Sequence, residues 1–328
     1  MTSAAALTND RSPLSTLTTS RQRTPESHPP RQVLKDSLNH ETFYQKLITR
    51  NELLISSELQ EKLRQGRFLI AGCGSIGSAI VEPLVRIGAE NLLIAEPDTF
   101  DTSNLNRQQA RLEDVGVNKG IAVKRQVEQI SPFAKIEVLE NGITDANLEQ
   151  ALDQVAVIFD GIDVTTPRPI HIKVKMHEEA KRQRIPVISG YDIAGLQLLV
   201  IYRYDREATK VLHGTVSAKD FENGKELRPV DFLFRVIPLR FVPFEIFRAV
   251  ELMLSGKDFG FPQVVYTAKA FGNMALTAAL EILEGRATRR YVAFDHHAAL
   301  RPWRQQIRLR MRWFVGLTKL LVSYVRSR

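Results

Sequence analysis

The sequence predicts a doubly wound α/β fold built on a mostly parallel sheet. Two observations carry this. Apolar runs of strand length alternate with stretches of helical periodicity, and the first run opens into a glycine-rich loop that begins a helix. At 328 residues and 44% hydrophobic content, the chain is long enough for one large domain with extensions.

The elements follow in order. Residues 1–33 are polar, proline-bearing and aperiodic, and read as a disordered leader. Segment 34–63 is expected to be helical, with Phe43, Leu47, Leu53, Leu54, Leu59 and Leu63 turned inward. A domain over 64–295 then begins with a strand at Arg67–Ala71, the glycine loop 72–77, and a helix to about Ile87. Asn91–Ala95 is a second strand, Lys119–Ile130 a helix and Lys135–Leu139 a strand. Val155–Phe159 is a buried strand, Pro169–Gln183 a helix and Pro186–Ser189 another strand. Leu196–Tyr204 reads as a longer strand running antiparallel to the others.

Residues 205–261 lose the rhythm and form a loop-rich insertion on the substrate side, with one or two short helices. Regularity returns in an apolar helix, Gln263–Leu283, stopped at Gly285, and a last strand at Arg290–Phe294.

Charge is unevenly placed. Residues 301–328 hold eight of the cations and no acid, which leaves the first 300 residues formally neutral within the net +8. This basic tail, 296–328, predicts an amphipathic helix from about 303 to 325. Its arginines at 304, 308 and 312 precede Trp313, Phe314, Leu317, Leu320, Leu321 and Tyr324. Packing against the domain or a dimer mate, contact with an anionic membrane, and contact with RNA are its three readings, in that order. Nucleic acid ranks last because no stacking aromatics lie among the arginines.

The most apolar stretch, Trp313–Val325, is shorter than the roughly 20 residues of a membrane span. The single cysteine, Cys73, excludes a disulfide framework and suits a cytoplasmic setting, with membrane association only through the tail.

Gly72-Cys73-Gly74-Ser75-Ile76-Gly77 fits G-x-G-x-x-G after a strand and before a helix. This Rossmann-like turn brings backbone amides and a positive helix end to a phosphate. Glu96 ends the second strand 24 positions after Gly72, where an acid bonds ribose hydroxyls. Cys73 occupies the variable loop position and reads as space-filling. Beyond Glu96 come Asn104, Arg107 and Gln108, more phosphate-gripping groups than a redox cofactor needs.

Three further motifs follow in order: Ser-Asn104-Leu-Asn-Arg107-Gln108, Gly116-Val-Asn-Lys119, and Phe159-Asp-Gly-Ile-Asp163 with Arg168 beyond. With the glycine loop, the stretch from about Arg50 to Tyr204 resembles the ThiF/HesA/MoeB family, whose fold is shared with ubiquitin-activating enzymes.

The resemblance implies an ATP-dependent adenylyltransferase, in which the C-terminal carboxylate of a small carrier protein or peptide attacks the α-phosphate to give an acyl-adenylate. It assigns phosphate and transition-state charge to Arg107 and Lys119, Mg²⁺ to Asp163, phosphate orientation to Asn104 and Gln108, and ribose to Glu96. Gly72, Gly74 and Gly77 form the cradle. It also implies a homodimer in which Arg50 reaches a partner's phosphates.

The sequence departs from the family at Glu96-Pro-Asp98, at Val164, and in lacking both a Cys-x-x-Cys zinc pair and any cysteine after Cys73. No zinc is therefore expected, and no thioester cysteine of the chain's own. A non-catalytic nucleotide-binding scaffold paired with an active homologue, and an NAD- or FAD-dependent oxidoreductase, are the alternative functions. His213 in the insertion reads as an exposed loop histidine.

Overall fold

Alternation along the first strand sets the architecture. In β1 (Arg67–Ala71), Phe68 and Ile70 enter one core while Leu69 and Ala71 enter a second core on the opposite face. A sheet buried on both faces needs helices on both, and the chain supplies them. The computed structural model describes residues 37–257 and 261–326, so the leader expected over 1–33 lies outside the described residues.

The remaining strands are β2 (Asn91–Ala95), β3 (Lys135–Leu139), β4 (Val155–Asp160), β5 (Val187–Ile193), β6 (Leu196–Tyr202) and β7 (Tyr291–Asp295). They lie in the order β3-β2-β1-β4-β5-β6-β7. The first five run parallel. The last two extend the sheet antiparallel.

Two short helices, α1 (His40–Ile48) and α2 (Ser57–Gln65), precede the sheet. One face of the sheet carries α3 (Ser75–Arg86), α4 (Lys119–Val127) and α9 (Val265–Leu283), which contribute Ile80, Val123 and Phe271 to the core. On the other face α6 (Pro167–Arg182) places Ile170, Val174 and Met176 beside Phe232 of α7 (Pro229–Val236) and Phe247 of α8 (Phe247–Leu254). Proline at the first turn starts α6 and α7, Asn118 caps α4 by accepting from Ile121 N–H at 3.2 Å, and Gly285 follows α9 with φ of +74°.

Three expectations change. The continuous helix expected up to Leu63 is broken. Asn51 donates to the Ile87 carbonyl and Ser56 starts a new helix by accepting from Leu59 N–H, so Leu53 and Leu54 sit exposed in the turn, and Tyr44 is buried instead. A five-residue helix, α5 (Leu148–Leu152), escapes sequence reading because little more than one turn cannot display a helical period. His213 is not an exposed loop residue. It stacks on Tyr202 with ring centroids 4.4 Å apart, and burial lowers its pKa to about 4.

The tail forms α10 (His296–Leu300) and α11 (Trp303–Arg326). The inner face of α11 rests on the insertion: Leu320 is fully buried, Trp313 Nε1 donates to the Val242 carbonyl at 2.7 Å, and Tyr324 donates to Asp231 at 2.7 Å. Its outer face exposes Trp303, Ile307, Met311, Phe314 and Val325. Among the described residues no helix is long and apolar enough to cross a membrane.

The order of the parallel strands reverses between β1 and β4. Such a switch point opens a crevice at the carboxyl ends of the two strands, where ligands of open α/β sheets bind.

Candidate active site

The cradle forms where the loops after β1 and β4 touch. Gly72 takes φ of +84°, and a Cβ there would lie 2.6 Å from the Gly161 carbonyl oxygen. A Cβ on Gly77 would lie 1.7 Å from the Gly72 carbonyl oxygen, so α3 can lie against the loop only with glycine there. Gly74 differs. The nearest atom to its would-be Cβ is Gln108 Nε2 at 4.0 Å, which leaves open space over the start of α3. The amides of that first turn receive no side-chain cap.

Cys73 is fully buried, and burial followed by the nearby Glu96 charge pushes its thiol well above the usual range. Its N–H donates to the Glu96 carboxylate, which also accepts from Asp98 N–H at 2.8 Å. Glu96 is itself buried, and desolvation raises its pKa.

The opposite wall is the turn after β2. Asp101 and Asn104 cap one another across the short helical turn Thr102–Asn104, with Asp101 N–H donating to Asn104 Oδ1 at 3.0 Å. Arg107 donates from Nε to Gln263 Oε1 at 2.7 Å, and burial lowers its pKa against the opposing pull of Asp192 and Asp163. Gln263 Nε2 donates to Ser75 Oγ at 3.3 Å, and Ser75 Oγ donates to Asp192 Oδ2 at 3.1 Å. Arg107 is thus linked through two polar side chains to a buried carboxyl group. At the start of α4, Lys119 Nζ pairs with Asp98 at 3.1 Å. The Gln108 carbonyl oxygen is buried without a partner.

Gly72, Gly74, Glu96, Asn104, Arg107, Gln108, Lys119 and Asp163 all line one cleft of about 1180 Å³. Gly77 stands behind the loop and acts through packing. Asp163 lies three residues beyond the carboxyl end of β4 and accepts from Thr165 N–H at 2.9 Å and Thr165 Oγ1 at 2.7 Å. Arg50 is exposed and does not line this cleft.

Sequence reading missed Asp192, Ser75 and Gln263. The strand expected at Pro186–Ser189 runs on to Ile193 and carries Asp192 with it, so the short reading hid this acid. It is buried, Oδ1 has no partner, and desolvation raises its pKa to about 7. The far side of the cleft is apolar, with Val230, Leu233, Phe234 and Ile237 from α7 and its end facing Ile246 and Met253.

Beneath the cleft lies a second polar cluster. Asp160, fully buried at the end of β4, meets Lys173 Nζ at 2.5 Å, His177 Nε2 at 3.1 Å and Ser189 Oγ at 2.5 Å. Burial opposes its charge, but Lys173 and His177 outweigh that and hold its pKa well below the usual carboxylate range. Burial lowers the pKa of His177, whose ring bridges two buried groups, with Nε2 3.1 Å from Asp160 and Nδ1 2.8 Å from the Tyr204 hydroxyl.

The ThiF family model matches residues 48–311. Over 148 residues the chain is 31% identical to the tRNA threonylcarbamoyladenosine dehydratase of Bacillus subtilis, covering 44% of this chain and 56% of that protein. Over 147 residues it is 26% identical to the molybdopterin-synthase adenylyltransferase of Haemophilus influenzae, covering 44% and 58%. The chain therefore spans little more than half the length of these curated relatives. The E. coli tRNA N6-threonylcarbamoyladenosine dehydratase, TcdA, solved in complex with ATP, superposes with a TM-score of 0.52 at 19% identity, over 76% of this chain and 98% of that one, which shows a shared fold.

Proposed function

Because the chain belongs to the ThiF family, we propose that it is an ATP-dependent adenylyltransferase that activates a carboxylate as its acyl-adenylate. The observation that carries this reading is the convergence of Arg107, Lys119, Gln108 and Asp163 on one cleft beside an open glycine cradle. Gln108 Oε1 lacks a donor that a hydroxyl or amine of a nucleotide can supply, and the uncapped amides of α3 and Gln108 Nε2 can donate to its phosphates.

In the reaction, a carboxylate oxygen attacks the α-phosphorus, the new C–O–P linkage forms, and the bond to the β-phosphate breaks with pyrophosphate leaving. Arg107 and Lys119 offset the negative charge that builds on the phosphates. Lys119 exchanges its Asp98 partner for phosphate, and Glu96, already fixed by two backbone amides, orders the loop that meets the ribose. Asn104 and Gln108 orient phosphate oxygens. Asp163, with phosphate oxygens, would hold Mg²⁺, which supplies charge neutralisation at the leaving group. Catalysis is then positioning and electrostatics.

The chain's single thiol is buried and held protonated, so the adenylate passes directly to an external acceptor. A homodimer is part of the proposal, with Arg50 supplied across the interface to the partner's phosphates. The outer face of α11, apolar between Arg304, Arg308 and Lys319 and without an acid, suits an anionic membrane surface. Co-sedimentation with phosphatidylglycerol vesicles and not with phosphatidylcholine vesicles tests that contact; equal recovery with both would refute it.

Isotope exchange between pyrophosphate and ATP, run over a panel of carboxylates, tests the activity. Exchange that falls about 100-fold or more in Arg107→Ala and Asp163→Ala is the expected result. ATP binding without exchange on any carboxylate would favour a scaffold, and NADH binding without ATP binding an oxidoreductase.

A further inference from the structure

The cleft is larger than the roughly 300–1,000 Å³ usual for one small ligand, and its two halves have opposite chemistry. One half is the polar cradle. The other is the apolar wall of the insertion, built from Val230, Leu233, Phe234, Ile237, Ile246 and Met253. The groups assigned to the ribose and the phosphates all lie in the polar half.

Asp192 stands between the halves. Its strand neighbours Tyr191 and Ile193 pack in the core cluster that contains the insertion, whereas its own carboxyl group turns to Ser75 at the start of α3. Oδ2 accepts the Ser75 hydroxyl, and Oδ1 is buried with no donor. A buried carboxyl oxygen without a donor carries a desolvation penalty that a ligand N–H relieves. Asp192 is joined to Arg107 through Ser75 and Gln263, so the donor Asp192 lacks would sit near the phosphates.

We propose that the carboxylate activated here belongs to a residue with an apolar side chain and an α-nitrogen donor, either a free amino acid or the last residue of a peptide. The side chain rests on the insertion wall and the α-nitrogen donates to Asp192. This rests on the adenylation reading and deepens it. A C-terminal glycine would reach the phosphate and leave the wall unfilled.

Stable acyl-sulfamoyl adenosines test this by titration calorimetry on the full chain. The probes are AMP and the glycyl, leucyl, glycyl-leucyl and 4-methylpentanoyl compounds, the last lacking the α-nitrogen. The leucyl or the glycyl-leucyl compound is expected to bind about 10- to 100-fold tighter than the glycyl one. Whichever of those two is the tighter identifies an amino acid or a peptide. The 4-methylpentanoyl compound is expected to lose about tenfold against leucyl in the native chain, and to lose little in Asp192→Leu, which has no acceptor.

Leu233→Arg should bring leucyl binding down to the glycyl level with AMP binding unchanged, which separates a blocked wall from an unfolded protein. Equal binding of glycyl and leucyl compounds, with AMP bound, overturns the apolar subsite and leaves adenylation standing. Equal binding of leucyl and 4-methylpentanoyl compounds overturns the role of Asp192. Failure to bind AMP or any of the adenosines defeats the adenylation reading itself, and this proposal with it.

Discussion

Two buried aspartates on adjacent strands behave in opposite ways. Asp160 ends β4 and Asp192 lies near the end of β5, both at most 8% exposed. Desolvation is the largest influence on each, yet the pKa of Asp160 falls and that of Asp192 rises to about 7. The difference is in the partners. Asp160 has a lysine, a histidine and a serine on its carboxylate, and all are themselves buried. Asp192 has one hydroxyl and an arginine acting at a distance. Burial alone therefore does not raise the pKa of an acid; burial with an incomplete set of partners does. The cluster around Asp160 is closed and structural, and the surroundings of Asp192 are open toward the cleft.

The largest expected effect breaks the closed side. Lys173→Met leaves the Asp160 charge buried without its cation and should cost about 3–5 kcal/mol in urea denaturation. A loss below about 1 kcal/mol would mean that Asp160 is neutral in the folded chain.

The next effect sharpens the open side. The folded pKa of Asp192 lies above its usual 3.8, so the folded chain holds this proton to higher pH than the unfolded chain. Its stabilising contribution is complete below about pH 4 and is lost as pH rises toward 7, with a slope approaching about 1.4 kcal/mol per pH unit. Asp192→Asn should remove that part of the decline when stability is followed from pH 5 to pH 8. For Asp160 the sign is reversed: its contribution is present above its usual 3.8 and disappears only as pH falls below it.

The smallest effect compares the two serines. Ser189→Ala removes one of three side-chain partners of Asp160 and should cost about 1 kcal/mol without changing pH dependence. Ser75→Ala takes the hydroxyl from Asp192 and should move its titration to higher pH, read from the carboxyl signal by NMR. Identical pH profiles for the two variants would erase the distinction between the clusters.

Much of this was legible in the residues. Arg67–Ala71, Asn91–Ala95 and Lys135–Leu139 are strands with the bounds read from their apolar runs, because each is short and flanked by turn or helix signals. The cradle and Glu96 could be read from local spacing, and the charges from Arg107 to Asp163 through the resemblance that their ordered motifs carry.

What escaped depends on long-range contacts. The Asp160 cluster joins β4, α6 and β5, and no local pattern announces that Lys173 and His177, one helical turn apart, face an acid thirteen residues before the lysine. Asp192 meets Ser75 across 117 residues of chain. Leu53 and Leu54 misled because an apolar pair fits a helical period whether or not the helix continues through it.

The seat of α11 on the insertion has an optical consequence. The chain has two tryptophans. Trp303 is largely solvated, whereas Trp313 is pinned by its indole N–H to the carbonyl of Val242, a residue that lines the cleft, and leans on Phe247 with ring centroids 6.3 Å apart. The emission of Trp313, isolated in a Trp303→Phe variant, should change when the segment around Val242 moves. A ligand that displaces this segment on entering the cleft would be reported by the chain itself, with no added label.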